Sequence, residues 1–282
     1  MQHFYVKAAL SSAAFLFGLA GCATGDSFGN AAQVSAWANS HGFSRLDLTP
    51  GTFRLAAFAR GTASHNNTLT VYIEGDGAPW ATPYHPPRDP TPSNPMSLAL
   101  AADDPAPAVV YLGRPCQYLD EMALQHCDSR YWTERRFSPE VIAAYDDALT
   151  QLKALFQFKH LRLIGYSGGG VIATLLADKR DDVELLITVA APLAVSEWVA
   201  WHGLSPLTGS LDPGASALSH QLPPAIHFVG ANDKIVPAAI VMEFSRHKGG
   251  RVVTIPGFDH NCCWTRNWPS LLKYFPVQEE TP

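Results

Sequence analysis

Apolar residues come in short continuous runs along the chain. The clearest are Phe53–Ala59, Thr68–Glu74, Ala108–Leu112, His160–Tyr166, Val183–Val189, Ala225–Val229 and Arg251–Ile255. Stretches such as VVYL, LRLIG and LLITV are apolar on both alternating faces. That pattern predicts strands of a parallel sheet covered on both sides. Helical spacing fills the gaps between them. Ser138-Pro139-Glu140 opens VIAAYDDALTQLKALF with a cap residue, a first-turn proline and an acid. Gly168–Lys179 predicts a second helix. Pro237 opens a third through Ser245, with Gly249-Gly250 after its end, and Trp268–Phe275 a short last one. Strands alternating with helices predict an α/β fold with a mostly parallel, doubly wound sheet. Such sheets bind ligands at the carboxyl ends of their strands.

Residues 193–224 break the alternation. They contain Trp198, Trp201 and several prolines but no strand pattern. A connection of this length is functional or disordered, and the tryptophans argue for a small cap over the site.

At 282 residues and 47% hydrophobic, the chain can bury a large core. Charged residues are 16% and the net charge is −5, with no long basic stretch, which argues against a nucleic-acid partner. No Walker loop, HExxH or CxxC motif is present.

The first residues, MQHFYVKAALSSAAFLFGLAGC, place Lys7 before an apolar run that ends in small residues. This is the layout of a secretory signal, too short to span a bilayer comfortably. Leu19-Ala20-Gly21-Cys22 resembles a bacterial lipobox, so the expectation is cleavage before Cys22 and lipid on its thiol. An ordinary cleaved signal or an uncleaved anchor are the alternatives. Residues 23–30 then read as a short tether. Of five cysteines, Cys22 aside, there remain Cys116, Cys127, Cys262 and Cys263. Exported chains sit where disulfides persist. Sequence cannot choose among the three pairings. The favoured one joins Cys116 to Cys127 across a short loop, with Cys262–Cys263 either a vicinal bond or two free thiols.

The chemistry centres on Gly165-Tyr166-Ser167-Gly168-Gly169, a G-x-S-x-G stretch between a strand pattern and a helix pattern. That context suits a serine raised on a strained strand-to-helix turn. A serine nucleophile needs a base, and the base an orienting acid. Asp233 lies just past the end of the strand in AIHFVGANDKIVP, and is better placed than Asp181, Asp182, Glu197 or Asp212. His260 follows the last strand in RVVTIPGFDHNCCW and is better placed than His202, His220, His227 or His247; Asp259 beside it reads as a turn residue. An oxyanion hole needs two backbone N–H groups. Gly168 supplies one. The Gly75-Asp76-Gly77 loop supplies the other, through Asp76 with Gly75 and Gly77 as alternatives. A plain Asp-Gly turn is the competing reading.

The stretches IEGDGAPW, GRPCQY, YWTERRFSP, GYSGGG, HGLSPLTGSLDP, GANDKIVP and GFDHNCCW together resemble a group of bacterial α/β-hydrolase-fold lipoproteins. The resemblance runs over residues 45–275. It implies the α/β-hydrolase fold and a triad of Ser167, Asp233 and His260, and it implies no substrate. EGDG stands where one esterase branch has HGGG. The expected organisation is a signal peptide over 1–21 and a tether and N-terminal segment over 22–44. An α/β-hydrolase domain over 45–276 follows, with the cap inserted at 193–224, and then a tail over 277–282. The expected function is ester hydrolysis through an acyl-enzyme on a small-molecule ester, with no metal or organic cofactor, on a chain held to the membrane by its lipid. An acyltransferase, a peptidase or a non-catalytic binding protein would keep the same fold.

Overall fold

The computed structural model describes residues 30–61, 67–78, 85–215 and 221–275. The strands are β1 (Ser44–Leu48), β2 (Leu55–Gly61), β3 (Thr68–Ile73), β4 (Ala108–Leu112), β5 (His160–Tyr166), β6 (Val183–Val189), β7 (Ala225–Gly230) and β8 (Arg251–Ile255). The helices are α1 (Ala31–Ser40), α2 (Met96–Ala102), α3 (Glu121–Leu124), α4 (Pro139–Phe156), α5 (Gly168–Lys179), α6 (Val195–Trp201), α7 (Ala238–Lys248) and α8 (Trp264–Leu271). The eight strands form one sheet in the order β1-β2-β4-β3-β5-β6-β7-β8. Pairings of β1 with β2 and of β2 with β4 are antiparallel, and the remainder are parallel.

Each central strand feeds two cores, which is why it reads as apolar throughout. Leu69, Val71 and Ile73 of β3 point into the core under α4 and α5, with Val110 and Leu112 of β4. Tyr72, Val109 and Tyr111 point the other way, toward α1, α2 and α8. Burying both faces is the main source of stability for such a sheet.

The pattern did not announce β1, α1 or α2. The α1 sequence AAQVSAWANS carries few large apolar residues, yet Val34 and Ala38 are fully buried against the second core. It falls in the segment read as preceding the domain. The last helix begins at Trp264, four residues before the expected Trp268, and carries Pro269 inside it. A proline inside a helix costs about 3 kcal/mol. Trp264 and Trp268, one turn apart and both fully buried, offset that cost.

The cap stretch has no strand among its described residues and one helix, α6. The Asp212 carboxylate accepts the N–H groups of Val195 (3.0 Å) and Ser196 (2.8 Å), capping α6 from across the insertion. Trp198 donates its indole N–H to the Ile235 carbonyl at 2.7 Å, which ties the cap to the loop after β7.

Candidate active site

Ser167 sits between β5 and α5 with φ 50° and ψ −125°, a left-handed backbone that a non-glycine residue adopts only under constraint. Its N–H is held by the Val189 carbonyl at 2.8 Å, and its carbonyl accepts from Gly170 at 2.9 Å. Two glycines make the turn possible by close approach. A Cβ on Gly165 would lie 2.3 Å from the Gly169 carbonyl oxygen, and one on Gly168 would lie 2.1 Å from Oδ1 of Asp76.

His260 follows β8. Its Nε2 lies 3.2 Å from Ser167 Oγ and its Nδ1 2.9 Å from Oδ2 of Asp233. Oδ1 of Asp233 accepts the N–H groups of Ile235 and Val236, both at 2.8 Å, so the carboxylate is fixed at both ends. The His260 carbonyl accepts from Tyr166 Oη (2.9 Å) and Trp264 Nε1 (3.0 Å), which holds the loop to the sheet. Asp259 Oδ1 accepts the N–H groups of Asn261 and Cys262 and so shapes the turn. Beside the imidazole opens a cleft of 780 Å³, lined by Asp233, His260, Asn232, Lys234, Ile235 and Asn261. The structure thus brings Ser167, His260 and Asp233 together in one hydrogen-bonded row.

Several of the rival residues have other partners. Asp182 pairs with Lys153 and Arg180, and Asp212 caps α6. His227 is buried, bonds Thr188 Oγ1 at 2.9 Å, and is pushed down to about 4 by burial, so it stays neutral. His202 faces the Ile235 carbonyl and His247 faces Glu243. His220, like Cys22, lies outside the described residues. Trp264 is fully buried in the core, and Trp132 is buried with its indole on the Pro87 carbonyl. Trp201 is exposed on the cap.

The other side of the serine holds a charge cluster that the sequence reading missed. The loop after β3 passes the elbow closely: a Cβ on Gly75 would touch Ser167 Cβ at 3.4 Å. Among the described residues the N–H groups of Asp76 and Gly168 have no acceptor. The Asp76 carboxylate is gripped by Arg114 (Nη1–Oδ1 2.6 Å) and Arg136 (Nη1–Oδ2 2.7 Å). Burial raises its pKa, but Arg136 and then Arg114 outweigh that and hold the carboxyl below its usual range. Behind it, buried Glu74 accepts the N–H groups of Gly75 (2.8 Å) and Ser97 (3.2 Å). Burial pushes Glu74 up to about 7 against those donors. Arg114 and Arg136 lie in GRPCQY and YWTERRFSP; an arginine just past the end of a buried strand was the available signal for the first.

Cys116 pairs with Cys127, and Cys262 with Cys263, so each side of the serine carries one disulfide. Among the described residues no group of three or more His, Cys, Asp or Glu is placed to hold a metal ion.

No family model matches the chain, and no curated protein matches it by sequence. Solved structures do. An alpha-beta serine hydrolase homologue from Coxiella burnetii is 14% identical with a TM-score of 0.52, over 82% of this chain and 94% of that one. Est1E from Butyrivibrio proteoclasticus is 17% identical with a TM-score of 0.52, over 82% and 96%. Pyrococcus horikoshii acylaminoacyl peptidase is 10% identical with a TM-score of 0.56; the match covers 83% of this chain and 41% of the peptidase. At these identities the likeness shows the fold, which is the α/β-hydrolase fold. It carries the fold part of the resemblance and says nothing of a lipoprotein group.

Proposed function

We propose that the chain is a serine hydrolase that cleaves small carboxylic esters through an acyl-enzyme. The observation that carries this is the row Ser167 Oγ–His260–Asp233, with its 3.2 and 2.9 Å contacts, on a strained elbow. His260 Nε2 takes the serine proton as Oγ bonds to the acyl carbon. Asp233 orients the ring and stabilises its cationic form. The carbonyl oxygen becomes an oxyanion facing the N–H groups of Gly168 and Asp76. As the tetrahedral adduct collapses, the bond to the alcohol oxygen breaks and His260 returns the proton to that leaving group. Water, deprotonated by His260, then releases the acid and restores the serine.

The exported, lipid-anchored location belongs to the same proposal. Its support is the sequence of residues 1–22, outside the described residues; no described helix is long and apolar enough to cross a membrane.

The test is intact mass of residues 23–282 after fluorophosphonate treatment, beside a Ser167→Ala control. One adduct on the wild type and none on the control is the expected result, together with ester turnover that the control lacks. A folded wild type that takes no adduct would sink the proposal. Product analysis with added alcohol or amine separates hydrolysis from acyl transfer, and a peptide substrate separates both from peptidase activity.

A further inference from the structure

The carboxylate of Asp76 stands where it should do harm. Its Oδ1 lies against Gly168, at the first turn of α5 and beside Ser167. A lone negative charge there would oppose an oxyanion and cancel the positive end of the helix. Two guanidinium groups answer it. Arg114 arrives from the loop after β4 and Arg136 from the segment before α4, and their side chains are 3% and 7% exposed. The cluster is cross-braced: Arg114 Nη2 donates to the Arg136 carbonyl at 2.7 Å, and Arg136 Nε to the Thr133 carbonyl at 2.6 Å. Glu74, on the far side of Gly75, is protonated below about 7 and adds little charge there.

We propose that Arg114 and Arg136 are positioning residues for acyl transfer: they fix Asp76 against the nucleophile turn and change the local charge from one negative to one positive, so that its loop can face an oxyanion. The inference rests on the hydrolase reading above. An ordinary structural salt bridge would need one arginine. The second, buried like the first, is what reverses the sign. Buried charges act through a weakly screened medium, so the reversal is felt at the serine.

The test is turnover of 4-nitrophenyl acetate by full-length mature protein, with thermal midpoints recorded for each variant. Arg136→Gln leaves Asp76 paired with Arg114 but brings the sum to zero. It lowers kcat by about 10- to 100-fold with KM within about threefold, in line with the loss of oxyanion stabilisation. Adding Asp76→Asn restores the net positive charge, and Arg136→Lys retains it. Both bring kcat to within about fivefold of wild type, a rescue that a purely structural brace would not give. Arg136→Gln at wild-type kcat overturns the inference. So does a folded double variant, or a folded Arg136→Lys, about a hundredfold slow; these two decide the matter even where Arg136→Gln does not fold. A wild type that neither labels nor turns over ester defeats the hydrolase reading as well. A wild type that does both, with Arg136→Gln equal to it, defeats only this inference.

Discussion

The two flanks of Ser167 handle charge in opposite ways. On the β7–β8 side stand one imidazole and one carboxylate in a single file, next to an open cleft. On the β3–β4 side Asp76, Arg114 and Arg136 are packed together with Glu74 behind them, and every one of the four is joined to backbone as well as side chains or to two partners at once. The first arrangement suits a proton that must move from serine to leaving group. The second suits a field that must stay put while charge develops. Low-dielectric burial strengthens a fixed field, whereas a mobile proton needs only correct distances and one orienting partner. The difference teaches that the catalytic row alone is half of the proposed site.

The largest effects should come from breaking the mobile side. His260→Ala removes the base and is expected to lower kcat by about 10⁴-fold or more. Asp233→Asn keeps the shape but favours the wrong tautomer, at a cost of about 10³- to 10⁴-fold. Ester turnover on protein with wild-type thermal midpoint checks both. A His260→Ala variant that keeps a tenth of the wild-type rate would mean that the proton does not travel on this flank.

Glu74 sharpens the other side, and its readout is stability. A carboxyl normally titrates near 4.5, while here burial pushes it to about 7. The folded state therefore holds the proton through that window and the unfolded state does not. Stability is full below about 4.5 and declines as pH rises toward and past 7. The size of the shift corresponds to about 3 kcal/mol. Glu74→Gln keeps an acceptor for the Gly75 N–H and cannot ionise. Urea midpoints at pH 5 and pH 8 should therefore fall more for wild type than for the variant. Parallel curves would show that Glu74 is ionised at no such cost, and that the fixed flank carries one more negative charge than described.

How much of this was legible in the sequence follows from range. The elbow is local: strand, serine, glycines and helix are contiguous, so GYSGGG between HLRLIGY and VIATLLADK suffices. Asp233 and His260 could be picked out because each stands a few residues past a strand pattern, β7 ending at Gly230 and β8 at Ile255. The cluster on the other flank is assembled from residues 38 and 60 positions apart, and nothing near Asp76 in the chain points to Arg114 or Arg136. Helix α1 escaped because its buried positions are a valine and an alanine amid polar neighbours. Helix α8 starts before the predicted Trp268 because Trp264 is buried beside Trp268, one turn earlier, with Pro269 inside the helix.

The smallest effect tests what keeps the fixed flank fixed. Cys116–Cys127 closes a loop of sequence separation 11 in the segment that follows β4, and Arg114 stands two residues before that loop begins. Within it Cys116 (φ 70°) and Tyr118 (φ 60°) are held in left-handed backbone. Yet Arg114 has its own anchors. Its N–H donates to Gln117 Oε1 at 2.9 Å, and its guanidinium binds Asp76 and the Arg136 carbonyl. Replacing both cysteines by serine should therefore cost about 2–3 kcal/mol of stability, mainly by freeing the unfolded chain. Ester kcat should change by less than about threefold, because the guanidinium anchors do not pass through the bridge. Urea unfolding and turnover on the same preparation measure the two together. Unchanged stability would show that the loop needs no covalent tie. A kcat loss beyond tenfold in folded protein would place the rigidity of the charge cluster in the disulfide and not in the ion pairs, and the contrast between the flanks would then rest on covalent bracing.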